Sequence, residues 1–232
     1  MTFFESLIAW DKELLLNINS HHNAWMDLFM IHISDTLIWA PLYVLFLYFL
    51  IKNKKSGSIL LILMLVLLIT FTDQIASSVF KPLVHRFRPT HDPELSNLVH
   101  CVQGYKGGKY GFFSSHAANV FAFAGFSMLL LRNTYYSIAI VFWAFLVSYS
   151  RIYLGVHFPL DIITGIIFGF ASGIGFFKIH HLFDRSKPHN RSTKNRNRAK
   201  IKSAFPETDV AFLILTLVII LITCLLGFRA QL

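Results

Sequence analysis

Charge is what this chain has least of. Asp, Glu, Lys and Arg make up 14% of its 232 residues, against about 25% in soluble domains, too few to cover a water-facing surface. Cysteine is almost absent: Cys101 lies in a polar loop and Cys224 in an apolar run, so no disulfide is expected between them and the redox compartment stays open. The apolar runs lack the two-residue alternation of membrane barrel strands. Helices are then the way to satisfy the backbone inside lipid. The opening residues, "MTFFESLIAWDKELLL", carry acids and no basic region ahead of the apolar stretch. They do not match a cleaved signal peptide, and insertion is expected to use internal spans.

Apolar residues fill the space that charge leaves, 55% of the chain with 24 Phe. A spanning helix needs roughly 17 to 25 of them in a row. Six runs qualify, near 36–52, 57–80, 114–132, 134–151, 159–178 and 209–228, which predicts an all-α, polytopic membrane bundle. Ahead of them, residues 1–35 place Phe4, Leu7, Ile8, Leu15, Trp25, Leu28 and Phe29 at helical spacing among acids, the pattern of amphipathic helices lying at the interface. The expected organisation is therefore an interfacial region over 1–35, a five-helix core over 36–180, a basic linker over 181–208 and an additional helix over 209–232.

The net charge of +9 is gathered in loops rather than spread over a nucleic-acid face. "IKNKKSG", "LRNTYY" and "KIHHLFDRSKPHNRSTKNRNRAKIK" join spans one to two, three to four and five to six. The positive-inside rule makes their side cytoplasmic, with anionic lipids as the natural partner of the last. The tail over residues 1–35, where Lys12 faces five acids, then lies outside. Nucleic acid is not expected as a partner.

Counting spans from that orientation brings the remaining polar residues to one face. Lys81 and Arg88 follow span two, Ser114, Ser115 and His116 open span three, Arg151 closes span four, and His157 and Asp161 open span five. Each alone has a structural reading: a snorkelling Lys, a loop Arg, a helix-end His, or an acid at a helix start. Arriving together, they outline a site for an anion. Arg offers a planar fork for phosphate oxygens and Lys a compact charge; free N–H groups at a helix start favour the same ligand. Pro82 predicts a break or kink beside Lys81. Imidazole can attack phosphorus or protonate a leaving oxygen near neutral pH. Asp161 lies one turn from His157 and His116 has no acid at such spacing, so His157 is expected as nucleophile, Asp161 as its orienter and His116 as general acid.

These residues also carry a resemblance. "KPLVHRFRP" fits K-x6-R-P, "FSSH" at 113–116 is similar to P-S-G-H, and "SRIYLGVHFPLD" fits S-R-x5-H-x3-D. Together they resemble the three signatures of the type 2 phosphatidic acid phosphatase superfamily, membrane relatives of vanadium haloperoxidases. The resemblance covers roughly residues 20–180. It implies a metal-independent phosphatase without cofactor, acting on a lipid phosphate or diphosphate. It also implies Lys81, Arg88, Ser114, Ser115 and Arg151 as phosphate binders, and the same three catalytic residues. Phe113 and Ser115 replace the motif's Pro and Gly. Only two spans precede the first motif, as if the family's first helix were missing and one had been added at the C-terminus.

A site on the outer face suits a lipid headgroup better than a soluble cytoplasmic phosphate. The expectation is a bacterial inner-membrane enzyme with its site facing outward and undecaprenyl diphosphate as substrate. Phosphatidylglycerol phosphate, phosphatidic acid and lipid A phosphate stand as alternatives. The loop over 90–112, with His91, His100, Lys106 and Lys109, either covers the pocket or is solvated. The spacing of His85, His91 and His100 matches no zinc pattern, so no metal is expected. An anionic-lipid transporter or a silent scaffold would explain the cations but not the two histidines and Asp161.

Overall fold

The computed structural model describes residues 2–185 and 204–226, and their regular structure is helical. Of the linker expected over 181–208, residues 186–203, with the expected contact to anionic lipid, lie outside the described residues, while helix continues to Arg185 and resumes at Glu207. Two helices precede the bundle. Helix α1 (Phe3–Ser20) begins in a capping box, in which Thr2 accepts from the Glu5 amide and the Glu5 side chain accepts from that of Thr2. Helix α2 (Ala24–Ser34) begins at Asn23, whose side chain accepts from the Met26 amide at 2.9 Å. Helix α1 turns Asp11, Leu15 and Asn19 into the protein and leaves Phe3, Phe4, Ile8 and Trp10 exposed.

Among the described residues, five helices are long and apolar enough to cross a membrane: Thr36–Lys54, Ser58–Val84, Thr134–Tyr153, Pro159–Phe183 and Glu207–Leu226. They correspond to α3 (Ala40–Lys54), α4 (Ser58–Gln74) with its extension α5 (Lys81–Val84), α7 (Thr134–Tyr153), α8 (Pro159–Arg185) and α9 (Glu207–Leu226). The sixth expected span is α6 (Ser115–Leu131), shorter at 17 residues. It is the bundle's axis, with Ala117, Ala118, Ala122, Ala124 and Phe126 fully buried and α4, α7 and α8 around it.

Small residues bring α8 onto that axis. Gly165, Gly169 and Gly173 recur every four residues, so they share one helix face, and a Cβ on Gly169 would strike the Ala118 backbone. Close approach of this kind drives helix association where lipid offers no hydrophobic gain. It also seats the first turn of α8 against the start of α6: the Ser114 amide donates to the Asp161 carbonyl at 3.1 Å. Two of the sequence motifs, far apart along the chain, thereby meet.

Pro82 does not break its helix. The six residues before Lys81, Ile75–Phe80, form a π-helical stretch, and helix continues to Val84. Widening the turn relieves the clash that a proline ring makes with an earlier carbonyl, so the chain leaves the helix at His85 instead, with φ +52°. Helix α9 is held at both ends. Lys52 and Asn53 donate to Asp209 at 2.9 and 2.8 Å, and the Trp25 indole donates to the Leu225 carbonyl at 3.4 Å. Cys101 and Cys224 are both free thiols.

Candidate active site

The site lies where α5 and α7 end and α6 and α8 begin, on the same side of the bundle. From His85 the chain runs out and returns as a short antiparallel pair: the Arg88 amide donates to the Lys109 carbonyl at 3.0 Å and the Gly111 amide to the Arg86 carbonyl at 2.9 Å. The loop over 90–112 thus folds over the pocket. Gly107, at φ +67°, passes so close to the Arg88 guanidinium that any Cβ would collide with it.

Three cations converge. Lys81 donates to the Ser77 and Ser115 hydroxyls at 3.1 and 3.4 Å. Arg88 is buried, and its Nε donates to the Tyr110 carbonyl at 3.1 Å while one terminal nitrogen has no partner. Burial, then the charge of Arg151, holds its pKa down to about 10, which leaves it charged at neutral pH. Arg151, also buried, donates to the Ser34 hydroxyl and, at 3.0 Å, to the Tyr105 hydroxyl, and its Nε has no partner. Unspent donors on two buried guanidiniums are expensive unless an anion takes them. Ser114 caps α6 through its hydroxyl, which accepts from the Ala117 amide at 3.4 Å.

Around His157 the structure is more connected than the motifs suggested. Nδ1 of His157 lies 3.4 Å from Oδ2 of Asp161, which also accepts from the Phe158 amide at 3.1 Å. The other oxygen of Asp161 accepts from Arg86 at 2.9 Å, and Arg86 reaches on to Asp11 at 2.5 Å. Asp11 in turn accepts from the Leu160 amide at 2.8 Å, and the Arg86 guanidinium lies 4.2 Å over the Phe158 ring. Burial pushes the Asp11 carboxyl up, although Arg86 opposes this. Burial, reinforced by Arg88, Arg151 and Lys81, pushes His157 well below its ordinary value. Its imidazole is therefore neutral, the state a nucleophile requires.

His116 lies within electrostatic reach of Arg151, His157, Arg88 and Lys81. It lines two cavities. One, about 420 Å³, is walled by Asp35, Gln103, Tyr105 and Arg151 among others. The second, about 410 Å³, runs into the bundle between Tyr43, Phe123 and Val147. Ser34, Thr36 and His116 belong to both.

All eight residues expected from the sequence, Lys81, Arg88, Ser114, Ser115, His116, Arg151, His157 and Asp161, are brought to this one end of the bundle. Arg86, Asp11, Ser34 and Tyr105 were not expected. Arg86 occupies an unspecified motif position, and the others come from α1, α2 and the covering loop. Asp11 shares α1 with Glu5, Lys12 and Glu13, so nothing in the sequence marked it as the acid that turns inward. His100 lies elsewhere: it meets Asp27 at 2.8 Å and stacks on His22. His22, Asp27 and His100 have potential metal-ligand atoms within 4.8 Å of one another, a set that spacing alone had not suggested.

A neutral, carboxylate-oriented histidine beside buried cations, on helices that cross a membrane, defines a class of membrane phosphatase. Residues 61–185 match the PAP2 superfamily, and the chain belongs to that family of membrane lipid phosphatases. Among its relatives are lipid A 4'-phosphatases of Bacteroides thetaiotaomicron, 42% identical over 76% of this chain and 80% of the relative, and of Porphyromonas gingivalis, 40% identical over 79% and 78%. An undecaprenyl-diphosphatase of Sulfolobus acidocaldarius is 30% identical over 75% and 80%. The crystal structure of Aquifex aeolicus LpxE aligns with a TM-score of 0.55 at 27% identity, covering 72% of this chain and 93% of that one.

Proposed function

We propose that this chain removes a phosphate from a phosphomonoester of a sugar-based membrane lipid of the lipid A type, through a phosphohistidine. The arrangement of His157 between Asp161 and the buried cations carries the reading. Lys81, Arg88, Arg151 and the start of α6 hold the phosphoryl oxygens. With Nδ1 of His157 turned to Asp161, Nε2 attacks phosphorus; the P–N bond forms as the P–O bond to the leaving alcohol breaks. His116, protonated for this step, gives its proton to that oxygen. Water then attacks phosphorus, its proton passes to His116, the P–N bond breaks and inorganic phosphate leaves. The cations serve by stabilising charge on the transferring group.

Undecaprenyl diphosphate, the substrate expected for an outward-facing bacterial enzyme, gives way to lipid A because the relatives at 42% and 40% identity are lipid A 4'-phosphatases and the undecaprenyl-diphosphatase stands at 30%. We place the site on the outer face of a bacterial inner membrane, because the Lys and Arg loops collect at the opposite end. Phosphate release by purified protein is the test, with lipid A, undecaprenyl diphosphate, phosphatidylglycerol phosphate and phosphatidic acid offered separately in the presence of chelator. Release from lipid A that is lost in His157→Ala supports the reading. Preference for another lipid overturns the substrate, and full activity of a folded His157→Ala protein overturns the mechanism.

A further inference from the structure

A carboxylate in the middle of a membrane helix is costly, and such groups are retained for function or paired. Asp73 lies within the span Ser58–Val84, two turns before Lys81. Its partner is Asn119, one turn after Ser115 on α6, whose amide donates to Asp73 at 3.4 Å; the Asn119 carbonyl oxygen accepts from Thr72 at 2.7 Å. Asp73 and Asn119 both line the cavity of about 410 Å³ that contains Ser115 and His116; beside Ser34 and Thr36 the rest of its wall is apolar or aromatic, Tyr43, Phe123 and Val147 among it. No residue of the three motifs accounts for them.

Their position relative to His116 sets what they touch. If His116 protonates the leaving oxygen, the group bearing that oxygen occupies space next to His116. One side of that space presents an anionic acceptor and a neutral amide. A lipid diphosphate would place there a departing phosphate, whose charge Asp73 repels. An alcohol would place there uncharged hydroxyl or amide groups, which a carboxylate and an Asn side chain accept and donate to well. The apolar wall beyond suits carbon skeleton or acyl chain.

We infer that this cavity is a leaving-group subsite in which Asp73 and Asn119 take the hydroxyl or amide groups of an uncharged, sugar-like alcohol and exclude a second phosphate. The inference rests on the phosphatase reading above and deepens it, because it makes the enzyme a monoesterase by charge as well as by shape. It needs no new covalent step: the P–O bond broken is the ester bond already described.

The test compares a lipid A phosphomonoester with undecaprenyl diphosphate, using full-length protein in wild-type form, as Asp73→Asn and as Asp73→Ser. kcat/KM is measured for both lipids, and Kd for both is measured in a His157→Ala background, where binding is read without turnover. Asp73→Asn is expected to shift both ratios toward the diphosphate by about tenfold, the scale of removing one nearby charge in a partly shielded site. Asp73→Ser should shift them the same way, which guards against one variant misfolding. Ratios that stay within about twofold of wild type in either folded variant overturn the subsite, because one close charge should exceed that margin. A wild-type preference for another lipid, by contrast, overturns the substrate reading, and the Kd ratios still decide whether Asp73 discriminates charge.

Discussion

At the residue scale the site divides into groups that read as chemistry and groups that read as spacing. Lys81, Arg88, Arg151, His157 and Asp161 were legible because charge at the edge of an apolar run needs a reason. Arg86 was not, since a cation in a motif's variable positions looks like any loop residue, and its partner Asp11 lies 75 positions away. Arg86 nonetheless separates two fully buried carboxylates, those of Asp11 and Asp161. Arg86→Gln should leave them facing one another uncompensated and cost about 3 kcal/mol of stability. The double variant with Asp11→Asn should restore part of that loss, read as coupling in thermal unfolding. His116→Gln should lower kcat by about 10²–10⁴-fold, the usual worth of a proton donor. His157 supplies a pH prediction. It binds a proton near 6.5 when unfolded and only well below that in the fold. Between those values the unfolded chain holds more protons, so stability should fall as pH drops below about 6.5, and His157→Asn should flatten that slope.

At the element scale hydropathy placed the helices well, because a membrane leaves few other ways to bury twenty apolar residues. Two features lay beyond its reach. Pro82 was read as a break or kink; the helix runs on through it, because the π-helical stretch ahead absorbs the ring and carries Lys81 onward to the pocket. The run at 114–132 was read as a span, and its place as the enclosed axis is something hydropathy cannot distinguish from a lipid-facing helix. The Gly165, Gly169, Gly173 series was present in the sequence and shows why α6 can be so enclosed. Gly169→Leu should force α8 from α6, separating Asp161 from the Ser114 amide. The expected outcome is loss of activity together with a lowered melting temperature, whereas Gly175→Ala, with open space around it, should change neither. Sequence left the loop over 90–112 undecided; its pairing with residues 86–88 depends on backbone bonds that no side-chain pattern announces.

At the scale of the whole molecule, charge distribution proposes the orientation and the helix order then puts every motif at one end. A cysteine introduced at Leu98, exposed in the covering loop, should react with an impermeant thiol reagent in intact cells if that end faces outward; one at Lys55, in the basic turn between α3 and α4, should not. Helix α1 carries a less obvious implication. Its acid reaches through Arg86 to the partner of His157, while Phe3, Phe4, Ile8 and Trp10 face away from the protein. We place those aromatic and aliphatic groups in the interfacial layer, so the helix that braces the catalytic pair is itself braced by lipid. The enzyme should then behave as a sensor of its surroundings, turning over faster in vesicles than in short-chain detergent. Phe4→Ser with Ile8→Ser should erase that difference while leaving the core's unfolding temperature in detergent unchanged.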